Sequence, residues 1–256
     1  PIIDYRQRLA DPLLGGQIIR VSSWHSIFWL LTAIGALMFI SLFWLPETLP
    51  AEKRTIATLG NAFNNYLFLL KHGVFMRFTL CVTFYYVAAY AFIAGSPRVY
   101  ISYFNVDPQH YGWLFALNIA GVMAISFFNR FLVIRFSLRR LLQIATGVAF
   151  LAMASMAVLN RAEPDSMFVI AGMIFIFFSM NGIVAASATA AALDEVPHIA
   201  GSASALIGSL QYGSGIISSL LLAEFNDGTP AAMIWIMLLF TAAAFLAVAG
   251  KTSKYA

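Results

Sequence analysis

One cysteine, Cys81, stands in 256 residues, which excludes an internal disulfide and a thiolate metal cluster. Charge is scarce as well: Asp, Glu, Lys and Arg make up 10% of the chain, against roughly a quarter in soluble domains. No aspartate or glutamate falls in the middle of a long apolar run, so the intramembrane ionisable group that proton relays use is missing from this sequence. The histidines His25, His72, His110 and His198 are isolated near the ends of such runs, without metal-ligand spacing. Nucleophile–base pairs and glycine-rich phosphate loops are also lacking, so neither enzyme chemistry nor a cofactor or metal is expected. A formal net charge of +4 gives no electrostatic footprint for nucleic acid.

What is present is apolar. Hydrophobic residues make up 61% of the chain and the mean hydropathy is +0.83, values of a membrane protein. A helix needs about 20 mostly apolar residues to cross the hydrocarbon core. Seven runs meet that length: His25 to Leu45, Val74 to Ala94, Tyr111 to Val133, Leu138 to Leu159, Ser166 to Ala188, Gly201 to Leu222 and Thr229 to Ala249. Asp107-Pro108 and Thr229-Pro230 place a capping residue before a first-turn proline. Asn160 to Ser166 and Asn226 to Gly228 are turn chemistry, so the spans they join are antiparallel neighbours.

Loop charge sets an expected orientation. Lys53, Arg54 and Lys71 precede the second run, and Arg130, Arg135, Arg139 and Arg140 cluster between the third and fourth. The basic loops are expected to be cytoplasmic, with Lys251 and Lys254 returning the C-terminus to that side. Residues 1–24 carry Asp4, Arg6, Arg8 and Asp11 and do not read as a span. No signal-peptide pattern is visible, the chain begins with Pro1, and a fragment is expected. From Thr58 to Lys71, Leu59, Phe63, Tyr66, Leu67 and Leu70 recur at helical spacing against asparagines, as in an interfacial helix. The expected organisation is therefore residues 1–24 before the first span, 25–45 the first span, 46–73 a cytoplasmic loop with that helix, 74–249 a six-helix unit and 250–256 a cytoplasmic tail.

Polar groups inside the spans are the candidate site. Gly201, Ala205, Ser209 and Gly213 recur every fourth residue and form a ridge of small residues, expected to pack against another helix. Gln211 points roughly 160 to 200 degrees away from Ser209 and Gly213, at about 100 degrees per residue. An amide in hydrocarbon must find partners, which leaves two readings open: a polar cavity or an interhelical hydrogen bond. Asn118 and Asn181 pose the same choice. Tyr86 and Tyr90, in a span rich in aromatics, fit either a pocket for flat, partly apolar molecules or ordinary packing. The run from Thr229 is almost free of polar side chains after its cap, and the spans at His25, Leu138 and Thr229 are expected to face lipid.

Three long stretches, "SSWHSIFWLL" with "LPETL", "AGSPRVYISYFNVDPQHYGWLFALNIAG" and "LDEVPHIAGSASALIGSLQYGSG", occur in the same order as in the Bcr/CflA drug-resistance transporters of the major facilitator superfamily, and the chain resembles that family. The resemblance implies an all-helical integral membrane fold of twelve spans in two halves, of which these runs match the sixth to twelfth. It also implies proton-driven export of small-molecule drugs, such as bicyclomycin and sulfonamides, across the bacterial inner membrane. "DPLLGG", from Asp11 to Gly16, resembles the end of the family's fifth-span motif. "NRFLVIRFSLRR", from Asn129 to Arg140, resembles a degenerate basic loop that keeps Arg135, Arg139 and Arg140 but lacks the motif's aspartate and glycines. The family's coupling acid lies in a first-span context not found here, so the resemblance implies half of a drug cavity without the proton site. The competing expectation is a truncated membrane protein without transport activity.

Overall fold

Apolar runs of 19 to 28 residues, interrupted by short polar turns, leave the backbone one economical way to satisfy its hydrogen bonds in lipid, the helix. The computed structural model describes residues 25–44, 59–162, 166–225 and 227–250, and the described residues contain helices and no strand. The chain divides into two units, residues 1–58 and 59–256. In the first, α1 (His25–Ser41) continues into a 3-10 turn at Leu42–Trp44. Its large apolar side chains, Trp29, Leu37, Met38 and Phe43 among them, are exposed.

The second unit comprises α2 (Leu59–Lys71), α3 (Gly73–Pro97), α4 (Pro108–Arg135), α5 (Leu138–Ala162), α6 (Met167–Asp194), α7 (Ala200–Phe225) and α8 (Ala231–Ala249). Helices α3 to α8 are each long and apolar enough to cross a membrane. Six of the seven sequence-read spans are thus long helices, and the first forms the shorter α1, 17 residues followed by the 3-10 turn. The stretch read as an interfacial helix is helical, as α2: Leu69 is fully buried while Phe63, Leu67, Phe68 and Leu70 stay exposed. Residues 1–24, 45–58 and 251–256, which hold the "DPLLGG" and tail readings, lie outside the described residues.

Local chemistry sets the boundaries. The His72 ring accepts from Phe75 N at 3.2 Å and caps α3. Past Pro97, which has no N–H to donate, the chain continues as a π-helical turn, Arg98–Tyr103, and ends at Asn105 with φ of +53°, a left-handed conformation asparagine tolerates. Asp227 Oδ1 accepts from the hydroxyl and backbone N–H of Thr229, at 2.7 and 2.9 Å. The Thr229 hydroxyl bond, then the backbone bond, hold that carboxyl below its ordinary range. Thr229 Oγ1 in turn accepts from Ala231 N, the capping expected of it.

The six long helices assemble around α3 and α6. Helix α3 packs on α6, α7 and α8, and α6 packs on α3, α4 and α5. Tyr85, Phe92, Phe177, Ile174, Met153 and Met156 form the centre, each at most 1% exposed. Helix α8 wedges one face between α3 and α5, burying Met233, Ile234, Met237, Thr241 and Ala244, and leaves Trp235, Leu239 and Leu246 exposed on the other. Helices α4 and α7 are the least covered, with 17% and 22% of their apolar windows buried against 39% for α8 and 50% for α5. The reason is steric. Alanine-rich faces on α5 and α8 let both approach closely, Phe150 stacking on Phe245 at 6.1 Å, whereas polarity along a helix says nothing about which neighbour reaches it.

Helix α8 is also tied at its C-terminus, where four carbonyls lack intrahelical donors. Arg77 Nε donates to Ala247 O at 3.1 Å and its Nη2 to Gly250 O at 2.7 Å. Gln143 Nε2 donates to Val248 O at 3.0 Å, and Arg139 also donates to Gly250 O. A Cβ at Gly250 would overlap the Arg77 guanidinium, the movable end of a long side chain.

Candidate functional site

Successive residues of α3 rotate by about 100°, and that rotation divides its aromatics between two surroundings. Tyr85 points into the core, where its ring stacks on Phe177 at 4.6 Å and 7° and its hydroxyl donates to Phe177 O. Phe92 meets Phe178 at 5.0 Å and Phe115 at 6.0 Å. Tyr86 and Tyr90, one turn apart, face α7 instead and are half-buried, with ring centroids 6.0 Å apart at 63°.

Helix α7 meets this face through small residues. Ser218 Oγ donates to Val87 O at 2.7 Å, and a Cβ at Gly215 would lie 3.5 Å from the Tyr90 ring. Tyr212 completes the group, edge-on to Tyr86 at 6.3 Å and 79°, while 68% of it remains exposed. Gln211, one residue earlier, is 9% exposed. Tyr86, Tyr90 and Tyr212 form an aromatic surface with hydroxyls at its edges, suited to planar faces and ring edges, while Gln211 is buried on the packed stripe of α7.

Tyr212 is the residue that sequence reading passed over. Its signal is an aromatic next to Gln211, on the same face as the small residues Gly208 and Gly215. Among the described residues the ridge meets no helix: Gly201, Ala205, Ser209 and Gly213 are exposed, and nothing lies within 4 Å of a Cβ built at Gly201 or Gly213. Ser209 Oγ returns to Ala205 O at 2.8 Å. The packed stripe of α7 is Ala203, Ile207, Gln211, Ser214 and Ser218, so Gln211 lies on the packed face and the ridge does not. Small side chains permit close approach without enforcing it, and the larger Ile207 buries more apolar area.

Asn118 and Asn181 belong to a different seam. Asn118, on α4, is 5% exposed, and Oδ1 of both asparagines is buried with no hydrogen-bond partner among the described residues. No ring contact or hydrogen bond among the described residues joins them to the tyrosines. Helices α4 and α6 approach closely there: a Cβ at Gly182 would lie 2.7 Å from Ser126 N and Val122 O, and one at Gly121 would overlap Ser179 Oγ. Of the expected site residues, therefore, Tyr86, Tyr90 and Gln211 gather at the α3–α7 contact, and Asn118 and Asn181 on the α4–α6 side.

The basic cluster stands at one end of the bundle. Arg135 closes α4 and is exposed, Arg139 is half-buried against the α8 cap, and exposed Arg140 starts α5, where its N–H donates to Ser137 Oγ at 3.4 Å. Arg130 lies over the Phe127 and Phe131 rings at 4.0 and 4.5 Å. Among the described residues no group of three or more His, Cys, Asp or Glu side chains is placed to hold a metal ion. The Cys81 side chain is buried.

Comparison with known proteins agrees with this architecture. The profile of the Major Facilitator Superfamily matches residues 9–219. The chain is 30% identical over 232 residues to a bicyclomycin resistance protein homolog of Haemophilus influenzae, covering 90% of this chain and 58% of that protein. It is 34% identical over 254 residues to an uncharacterized MFS-type transporter of Bacillus subtilis, covering 96% and 61%. A shorter match, 32% over 125 residues, is to a multidrug transporter of Escherichia coli, covering 46% and 30%. The chain spans about three fifths of the length of the first two relatives.

Proposed function

Because the chain belongs to the major facilitator superfamily, we propose that it acts as the C-terminal part of a proton-coupled multidrug exporter of the bacterial inner membrane, with its basic loops and C-terminus cytoplasmic. The substrates are small drugs of the bicyclomycin or sulfonamide type, the first in keeping with the similarity to a bicyclomycin resistance protein homolog. The observation that carries this reading is the surface of Tyr86, Tyr90 and Tyr212 on the α3–α7 face. An open, partly aromatic surface at mid-membrane depth is costly against lipid alone and useful against a drug. The least covered helices, α4 and α7, are the ones that would face the rest of a two-half transporter, and rocking of the halves would expose the surface alternately to each side.

A second reading, a membrane protein without transport activity, is favoured by one observation: the described spans hold no carboxylate in their apolar middles. Accumulation of sulfonamide or bicyclomycin in efflux-deficient cells separates the two. Completed with a family N-terminal half, the chain is expected to lower accumulation, and a protonophore to abolish the effect. No reduction despite normal insertion would leave the inactive reading standing.

Two substitutions test the surface in the completed protein. Tyr212→Ala is expected to weaken export of ring-containing drugs by roughly 3- to 10-fold, from an aromatic contact of about 0.5–1.5 kcal/mol, with membrane abundance unchanged because the side chain is exposed. Gln211→Leu is expected to change the resistance profile at constant abundance. Lower abundance with the same profile per molecule would assign Gln211 to packing alone.

A further inference from the structure

At the end of the bundle opposite the basic cluster, a cavity of about 280 Å³ lies where the last turns of α3 and α7 meet the first turn of α8. Ala94, Leu222 and Met233 supply its apolar wall, Ser219 and Thr229 two hydroxyls, and Arg98 its one charge. Under the proposed orientation this end faces outward.

Two properties define the chemistry of a ligand here. The first is sign. No acidic side chain lines the cavity, and the Arg98 guanidinium, which is exposed, makes no hydrogen bond or ion pair among the described residues. The Asp227 carboxylate does not cancel it: that group is held by the Thr229 hydroxyl and N–H at 2.7 and 2.9 Å, and Arg98 acts on it only as a weaker influence. A guanidinium with unused donors favours an oxyanion or another delocalised anion.

The second property is continuity with the aromatic surface. Residues four apart on a helix lie one above the other, and the row Tyr86, Tyr90, Ala94, Arg98 leads along α3 from that surface into the cavity. On α7 the matching row is Gly215, beside the Tyr90 ring, then Ser219 and Leu222. Arg98 follows Tyr90 by a little over two turns, about 12 Å at 1.5 Å per residue. A molecule moving outward from the tyrosines along this groove meets the guanidinium next.

We propose that the cavity is an outer subsite for aromatic organic anions, selected by Arg98. The ring lies against Ala94, Leu222 and Met233, and the anionic group, a deprotonated sulfonamide or a carboxylate, accepts from the guanidinium. The subsite presupposes the drug-export reading and names a substrate class within it. Arginine stays charged at every working pH, so the ionisation of the drug itself decides whether it is retained.

The test uses the purified full chain in detergent and equilibrium dialysis of two matched probes at mildly alkaline pH: sulfamethoxazole, whose sulfonamide nitrogen is then deprotonated, and its N-methylated form, which cannot ionise there. The anion is expected to bind roughly three- to tenfold more tightly, the size of one partly screened charge-assisted hydrogen bond. Arg98→Gln, at an exposed position, is expected to remove that preference and leave binding of the neutral probe unchanged. Arg98→Lys, which keeps the charge and loses the planar fork, retains part of it. Ala94→Leu narrows the cavity with the charge in place and is expected to weaken the anion more than the neutral probe. Equal binding of the two probes, a preference that survives Arg98→Gln, or anion binding indifferent to Ala94→Leu would overturn the subsite alone. Loss of the preference when phosphatidylglycerol is added at equal concentration would assign Arg98 to lipid phosphates instead. Binding of neither probe would overturn the drug-export reading together with the subsite.

Discussion

Gly182→Ala lowers the amount of folded protein in the membrane and its melting temperature in detergent, whereas Gly213→Ala changes neither: this is the first expected result. At Gly182 the added carbon would meet backbone, Ser126 N and Val122 O at 2.7 Å, so α4 and α6 must separate along their seam. Overpacking of this kind costs roughly 1–3 kcal/mol, and the upper end applies because no flexible side chain can swing aside. Separation also exposes Asn118, whose Oδ1 has no partner to compensate. Gly121→Ala is expected to cost less, since its neighbours there are the Ser179 hydroxyl and the Phe175 ring, both side chains able to rotate. At Gly213 nothing lies within 4 Å. Equal abundance of the Gly182 and Gly213 variants would refute the close α4–α6 approach.

Tyr85→Ala is the second large effect, at roughly 3–5 kcal/mol of lost stability. Tyr85 is completely buried, stacked on Phe177, and its removal leaves a cavity at the junction of α3 and α6. Tyr85→Phe separates the ring from the hydroxyl. The hydroxyl's acceptor, Phe177 O, also lies within the helical ladder of α6, so losing the phenol deprives it of a second bond only. Interhelical hydrogen bonds in membranes average about 0.6 kcal/mol, so the Phe variant is expected to retain most of the stability. Unfolding in a denaturing detergent titration measures both. Similar losses for Phe and Ala would mean that the hydroxyl, not the stacked ring, joins the two helices.

The legibility of this chain followed the range of the interactions concerned. Span limits were readable to within a few residues, as with Leu138 and Ala249, because apolar length, Thr229 and the turn at Asn226 to Gly228 act locally. The same local reasoning identified Tyr86, Tyr90 and Gln211 as polar or amphipathic groups where lipid would demand apolar ones. It could not say what meets the ridge from Gly201 to Gly213, because spacing locates a helix face and leaves open what covers it. Gly121 and Gly182 carried no comparable repeat, yet they lie where two backbones nearly touch.

The sequence by itself determined that this is an all-helical membrane protein, roughly where each span runs, which end is basic and which family it resembles. These properties depend on hydropathy, charge and motifs summed along the chain. Only the tertiary structure decided that α8 is wedged between α3 and α5, that Gln211 lies on the packed face, that Tyr212 joins Tyr86 and Tyr90, and that Arg77, Arg139 and Gln143 cap α8. Each of those depends on how neighbouring helices are rotated and translated against one another. Apolar faces of similar hydrophobicity are interchangeable to lipid, and only side-chain shape at the contact selects among them.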